Sequence, residues 1–187
     1  MSGVIVLTAC SSATESNSGA QPAPDLQTVR MITHESFVLS PSFVEDLLEQ
    51  GIELEITSTG DAGTLTASAI LAAGQPTADL LFGIDNTLAL RATDENVFEP
   101  YTSPELTSVL PQFLQETQNG RLTPIDFGDV CINIDDTWFT KEGMSAPTNL
   151  EQLPQVANLL VVQDPATSSP GLAFLLATVA RFGDEWP

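Results

Sequence analysis

From Val29 onward, strand-like and helix-like stretches alternate, each helix-like stretch carrying its own start and stop signals, and this alternation restricts the fold more than any other feature. Residues 29–33 read as a strand. Ser42 with Glu45 makes a capping-box pattern ahead of Phe43, Val44, Leu47 and Leu48, and Gly51 closes that helix. Residues 52–57 alternate as a second strand, and residues 64–73 place Leu65, Ala69 and Ala72 at helical spacing before Gly74. Residues 79–82 then read as a short buried strand and residues 86–93 as a short helix. Crossovers long enough to hold a helix predict a parallel sheet covered by helices on both faces, an α/β fold.

A less regular stretch, residues 97–120, carries Pro100, Pro104 and Pro111. Alternation then resumes: strands at 122–127 and 130–134, a helix at 138–142, a capped helix at 148–153, a strand at 159–162 and a helix at 170–182. Cys131 falls in the second of these strands, where a buried and inert thiol is expected. Two α/β lobes follow from this order, 28–125 and a partial 126–187, joined near residues 125–128. Before the last helix, Ser169 is placed to cap it, with Pro170 in the first helical position, where no amide proton is needed. In open parallel sheets ligands sit outside the carboxyl ends of the strands. The turns at 34–36, 60–63, 85–86 and 164–169 all fall at such ends, which locates a site without naming its ligand.

The chain has 187 residues, 42% of them apolar, enough for one sizeable core or two small ones. No run reaches membrane-spanning length. Only 5 Lys and Arg stand against 25 Asp and Glu, a formal charge of −20, which repels nucleic acid and anionic membrane surfaces and attracts cations. Solubility or a saline habitat accounts for the same acidity. Leu7-Thr8-Ala9-Cys10, after Val4 to Val6, matches the lipobox of bacterial lipoproteins, in which cleavage precedes an acylated cysteine. Residues 1–9 thus read as a shortened signal peptide lacking its basic start, and residues 10–27 as a lipid-attached linker poor in large apolar side chains. The plain alternative for Cys10 is a thiol in a disordered tail. A disulfide between Cys10 and Cys131 is arithmetically open in an exported protein, and acylation of Cys10 would exclude it.

Gln163-Asp164-Pro165-Ala166-Thr167-Ser168-Ser169-Pro170-Gly171 resembles the QDPxTSxPG segment of thiamine-binding extracytoplasmic receptors that feed ABC importers. Val-Arg-Met-Ile-Thr-His-Glu-Ser-Phe over residues 29–37 resembles that family's first strand and turn. Gly60-Asp61-Ala62-Gly63 resembles its acidic-glycine turn, Gly83-Ile84-Asp85-Asn86 its GxDN turn, and residues 124–133 its DYG segment. The five motifs stand in the family's order. The resemblance implies a type II periplasmic-binding-protein fold with an incomplete second lobe, and a site drawn from His34, Ser36, Asp61, Ala62, Asp85, Asn86, Asp126, Asp164, Thr167, Ser168 and Ser169. It implies thiamine or thiamine phosphates as ligand, permease and ATPase subunits as partners, membrane attachment through a lipid, a monomeric state and no cofactor. By that likeness Asp61 faces a cationic or amino group, and Thr167, Ser168 and Ser169 meet the hydroxyethyl arm or a phosphate. An aromatic residue is usual at His34 and an Asp at Glu35. The chain reads as about the first half of such a receptor, without the later aromatic residues that clamp the ligand rings in relatives.

The bland reading of Asp61, Asp85, Asn86 and Ser169 is helix capping, of His34 a solvated strand end, and of Asp126 a hinge residue. An enzyme is disfavoured, because no G-x-S-x-G elbow, Cys–His dyad or His-rich metal cluster exists. A receptor of the same fold for ferric iron, a polyamine or an oxyanion stays open, as does a non-binding remnant. Ferric receptors commonly use paired tyrosines, whereas this chain has Tyr101 alone.

Overall fold

The computed structural model describes residues 25–186. Strand β1 (Gln27–Thr33) lies in the middle of a three-stranded parallel sheet, between β2 (Ile52–Ser58) and β3 (Leu80–Phe82). Register runs from Gln27 opposite Ile52 to Thr33 opposite Ser58 on one side, and from Met31 opposite Leu80 to Thr33 opposite Phe82 on the other. Helix α1 (Pro41–Glu49) connects β1 to β2 and packs on β2, while α2 (Ala62–Leu71) connects β2 to β3 and packs on β1. Helix α3 (Asn86–Asp94) packs on α2. Parallel neighbours require such crossovers, so the first half of the alternation is realised as read.

The core lies where α2 and α3 meet β1. Leu65, Leu88, Ala89, Ala92 and Met31 are buried there, and Leu65 is fully so. Burying a leucine contributes about 1.5–3 kcal/mol. Coverage of the sheet is incomplete, since Ile56 and Leu80 remain 43% and 52% exposed. Helix α1 starts two residues earlier than its sequence suggests. Its cap is Ser40, whose hydroxyl accepts from Phe43 N at 3.2 Å, with Pro41 in the first turn; Ser42 only approaches Ser40, Oγ to Oγ 3.2 Å. Pro41 suits this start, because it needs no amide proton and its fixed φ fits the first helical position.

Beyond α3 come two 3₁₀ helices, Pro104–Ser108 and Pro111–Thr117, then α4 (Asp136–Lys141), a third 3₁₀ helix (Leu150–Val156) capped by Asn149, and α5 (Ser169–Phe182). A last 3₁₀ turn, Gly183–Glu185, follows. The strands expected at 122–127, 130–134 and 159–162 do not form. Those residues run without ladder partners, because no neighbouring strand among the described residues offers them hydrogen bonds. Their apolar side chains stay exposed: Phe127 at 70%, Ile132 at 40% and Val161 at 92%. Cys131 is accordingly an exposed free thiol rather than a buried one. The helix expected over 148–153 is the 3₁₀ segment, with Pro154 inside it. No helix among the described residues is long and apolar enough to cross a membrane. The lipobox, Cys10 and most of the linker lie outside the described residues.

Candidate ligand-binding site

The exits of the three strands are tied together before any ligand is considered. Thr59 N donates to Thr33 O at 2.8 Å and Glu35 N to Gly60 O at 2.8 Å, joining the turns after β1 and β2. The turn after β3 is joined through packing. Gly83 adopts a φ of +114°, and a Cβ there would collide with His34 Cδ2 and meet Leu65 Cδ2 at 3.4 Å. His34 therefore lies against backbone instead of projecting freely. Its ring stands 6.1 Å from that of Phe82 and 6.3 Å, edge-on, from that of Phe37; Phe37 and Phe82 are 4.8 Å apart. These separations suit offset and edge-to-face aromatic contact.

Two carboxylates mark the helix starts at these exits. Asp61 caps α2, its Oδ1 accepting from Ala62 N at 2.8 Å. Asp85 caps α3 more fully, with Oδ1 accepting from Thr87 N at 2.9 Å, Thr87 Oγ1 at 2.6 Å and Leu88 N at 3.0 Å. Both sit where a helix dipole favours negative charge. In each case the recorded bonds use a single oxygen. Asp61 has one donor against three for Asp85, so it keeps the greater capacity to face a cation.

The loop before α5 reaches across to α2. Gly63 N donates to Thr167 O at 2.8 Å, and a Cβ at Gly63 would stand 2.8 Å from Ala166 O and Thr167 O. Asp164 shapes the loop by accepting from Ala166 N at Oδ1, 2.9 Å, while its carbonyl accepts from Thr167 N and Ser168 N. The cap of α5 is Ser168 and not Ser169. Ser168 is buried, accepts from Gly171 N at 3.4 Å and donates to Gln163 Oε1 at 2.9 Å. The Ser169 hydroxyl is buried without a partner, as is that of Thr33 at the end of β1. Gln163 makes the difference, because its amide oxygen holds Ser168 in the capping position and pulls the helix start one residue earlier. Gln163 O also packs so tightly on Gly171 that a Cβ there would come within 2.6 Å.

The structure thus joins His34 to the Gly83 turn, and Gly63, which follows Asp61 and Ala62, to Ala166–Thr167. Ser36, Asn86 and Asp164 are exposed on the same turns. Asp126 is separate: it lies exposed on the unpaired extended segment and makes no hydrogen bond or ion pair among the described residues. Three contributors went unread in the sequence. Phe37 ends the 29–37 motif and Phe82 immediately precedes the Gly83 turn, and those positions were the available signal; the approach of Gly63 to Thr167 left none. Among the described residues no three His, Cys, Asp or Glu side chains cluster as a metal would require.

Perturbed carboxyls lie elsewhere. Hydrogen bonds from Arg30 hold Asp79 below the usual aspartate range, in a fork with Arg30 Nη2 to Asp79 Oδ1 at 3.0 Å. Glu151 is lowered by its own backbone amide and then by Arg181. Both are structural ties on the surface. Cavities of about 270 Å³ beside Thr148 and Gln152, and about 220 Å³ beside Arg30 and Glu55, are likewise lined by none of the candidate site residues. The candidate site is defined by the converging turns and not by either cavity.

This arrangement, turns converging at the carboxyl ends of a β2-β1-β3 parallel sheet, shares its fold with solved periplasmic binding proteins. The solved periplasmic binding protein P5PA superposes with a TM-score of 0.62 at 18% identity, covering 84% of this chain and 52% of that one. A solved periplasmic thiamin binding protein gives a TM-score of 0.61 at 21% identity, over 87% of this chain and 51% of its own. The family model for bacterial extracellular solute-binding proteins matches residues 75–186, and the chain belongs to that family. Membership carries an extracytoplasmic location. Thiamine-binding periplasmic proteins of Brucella suis biovar 1 (strain 1330) and Brucella abortus biovar 1 (strain 9-941) are each 25% identical to it. The alignments cover 89% of this chain and 50% and 49% of those proteins. The chain spans about half the length of the curated relatives it matches.

Proposed function

We propose that the chain is the ligand-capturing part of a thiamine or thiamine-phosphate receptor, which hands its solute to an ABC permease driven by an ATPase subunit. The observation that carries this is the convergence of Asp61, His34 with the Gly83 turn, and the Thr167–Ser169 loop, in a chain whose relatives are named for binding thiamine. Thiamine is a flat, permanently cationic molecule with a hydroxyethyl arm. A carboxylate at the start of α2, a net acidic surface and the exposed Thr167 hydroxyl offer complementary chemistry. In this reading residues 28–125 form one lobe, residues 126–187 begin a second, and the solute sits between them. Asp126 lines or positions the cleft from the connecting segment. Cys10 ties the receptor to the membrane through a lipid, and the protein acts as a monomer without cofactor or catalysis.

Titration calorimetry on the full chain decides the ligand, with thiamine, thiamine monophosphate, ferric citrate and spermidine as separate titrants. Saturable heat with the first two alone supports the reading. Heat with iron or spermidine, and none with thiamine, overturns it.

A further inference from the structure

We propose that the backbone contact between Gly63 and Thr167 is a latch that holds the ligand cleft closed; the inference rests on the two-lobe receptor reading above. Gly63 belongs to the first turn of α2, and Thr167 to the loop that starts α5, far along the chain. The contact consists of Gly63 N–H donating to Thr167 O at 2.8 Å. It is also as close as backbone permits, since a Cβ at Gly63 would lie 2.8 Å from two carbonyl oxygens and 2.9 Å from Thr167 Cα. Beside it α5 packs on α3, which packs on α2, so the same two parts meet over a second surface.

Two properties suit this contact to opening and closing. First, Gly63 N is one of the amides at the start of α2 that no carbonyl of its own helix can satisfy. Asp61 Oδ1 takes the Ala62 amide, which leaves Gly63 to find its acceptor in the other lobe. Separation would return that amide to water or to a ligand, so the open form costs little. Second, the joint is made by backbone atoms, leaving the loop's side chains uncommitted to it. Glycine at 63 is then a determinant of affinity that need not touch the ligand: it sets how far the lobes can close.

The test is Gly63→Ala in the full chain. The added Cβ forces the joint apart, so small-angle scattering should show a larger radius of gyration and amides 166–168 should exchange faster. Thiamine affinity should fall roughly tenfold, the scale of one modest interaction lost from the closed state. Leu71→Ala is the control, because that side chain, on the same helix, is 89% exposed. An unchanged radius and unchanged exchange in Gly63→Ala would overturn the latch. Should that variant fail to fold, native-state exchange of the wild type decides. A latch predicts that the Gly63 amide opens at lower free energy than the Leu65 amide, and equal protection of the two overturns it. Absence of thiamine binding in the wild type would sink the ligand reading alone, since scattering and exchange still report the joint.

Discussion

Ser168→Ala and Ser169→Ala change adjacent hydroxyls of one loop, yet their surroundings predict opposite results. Removing the Ser168 hydroxyl takes the acceptor from Gly171 N and leaves Gln163 Oε1 without its 2.9 Å donor. Loss of a serine N-cap costs about 1 kcal/mol. Gln163 is exposed, so water replaces the lost donor there and adds little to that cost. A loss of about 1 kcal/mol corresponds to a fall in Tm of roughly 2–4 °C for a chain of this size. Ser169→Ala removes a buried hydroxyl that has no partner, and should change stability by less than about 0.5 kcal/mol, with a gain more expected than a loss. Urea denaturation followed by circular dichroism, with a thermal scan on the same samples, measures both. Equal losses, or a larger loss from Ser169→Ala, would refute the assignment of Ser168 as the cap and Gln163 as its anchor. In binding assays the free Ser169 hydroxyl is then the one whose loss should discriminate thiamine monophosphate from thiamine.

Asp61→Asn keeps the cap on Ala62 N while removing charge, so thiamine affinity should drop by roughly tenfold or more, the scale of a charge-assisted contact, with Tm nearly unchanged; calorimetry and a melting curve together check it. Gly83→Ala should destabilise by about 1–3 kcal/mol from backbone strain at φ +114°, and the double variant with His34→Ala should recover the collision but not the strain, as urea midpoints would show. Asp79 is held below its ordinary range when folded, so its stabilising contribution is fully present above the unfolded value, about 3.9, and is lost as pH falls through the lower folded value. Urea midpoints between about pH 5 and 2 should therefore fall less steeply in Asp79→Asn than in the wild type.

The first lobe was legible because its determinants are local. Gly51 and Gly74 take positive φ just after α1 and α2, and Asp85 caps α3 within its own turn. A short window of sequence contains all of that. Residues 122–134 and 159–162 alternate or run apolar as convincingly, yet a strand exists only beside another strand, and that condition lies outside any window. The cap of α5 fell between the two cases. Pro170 tolerates either of the first helical positions, so two serines competed, and a glutamine five residues before Ser168 settled the contest. The convergence of His34, Asp61 and Asp85 followed from parallel topology, whereas the α5 loop follows no strand among the described residues and reaches them through Gly63. The Gly63 approach and the Phe37–Phe82 pair needed coordinates, since each joins residues that sequence spacing does not relate.

Strand β1 supplies the shared partner for the whole sheet, because β2 and β3 touch β1 and not each other. During folding the chain must therefore retain β1 unpaired until a complete crossover has been made, then return past it for β3. Such late, non-local closure slows folding and leaves an unpaired edge on each side in the meantime. A proteolytic nick between α2 and β3 would leave two pieces still sewn to the same centre. Trimming the chain through Thr33 would leave β2 and β3 with nothing in common, so the N-terminal seven-residue strand is the part of this lobe that no fragment can omit.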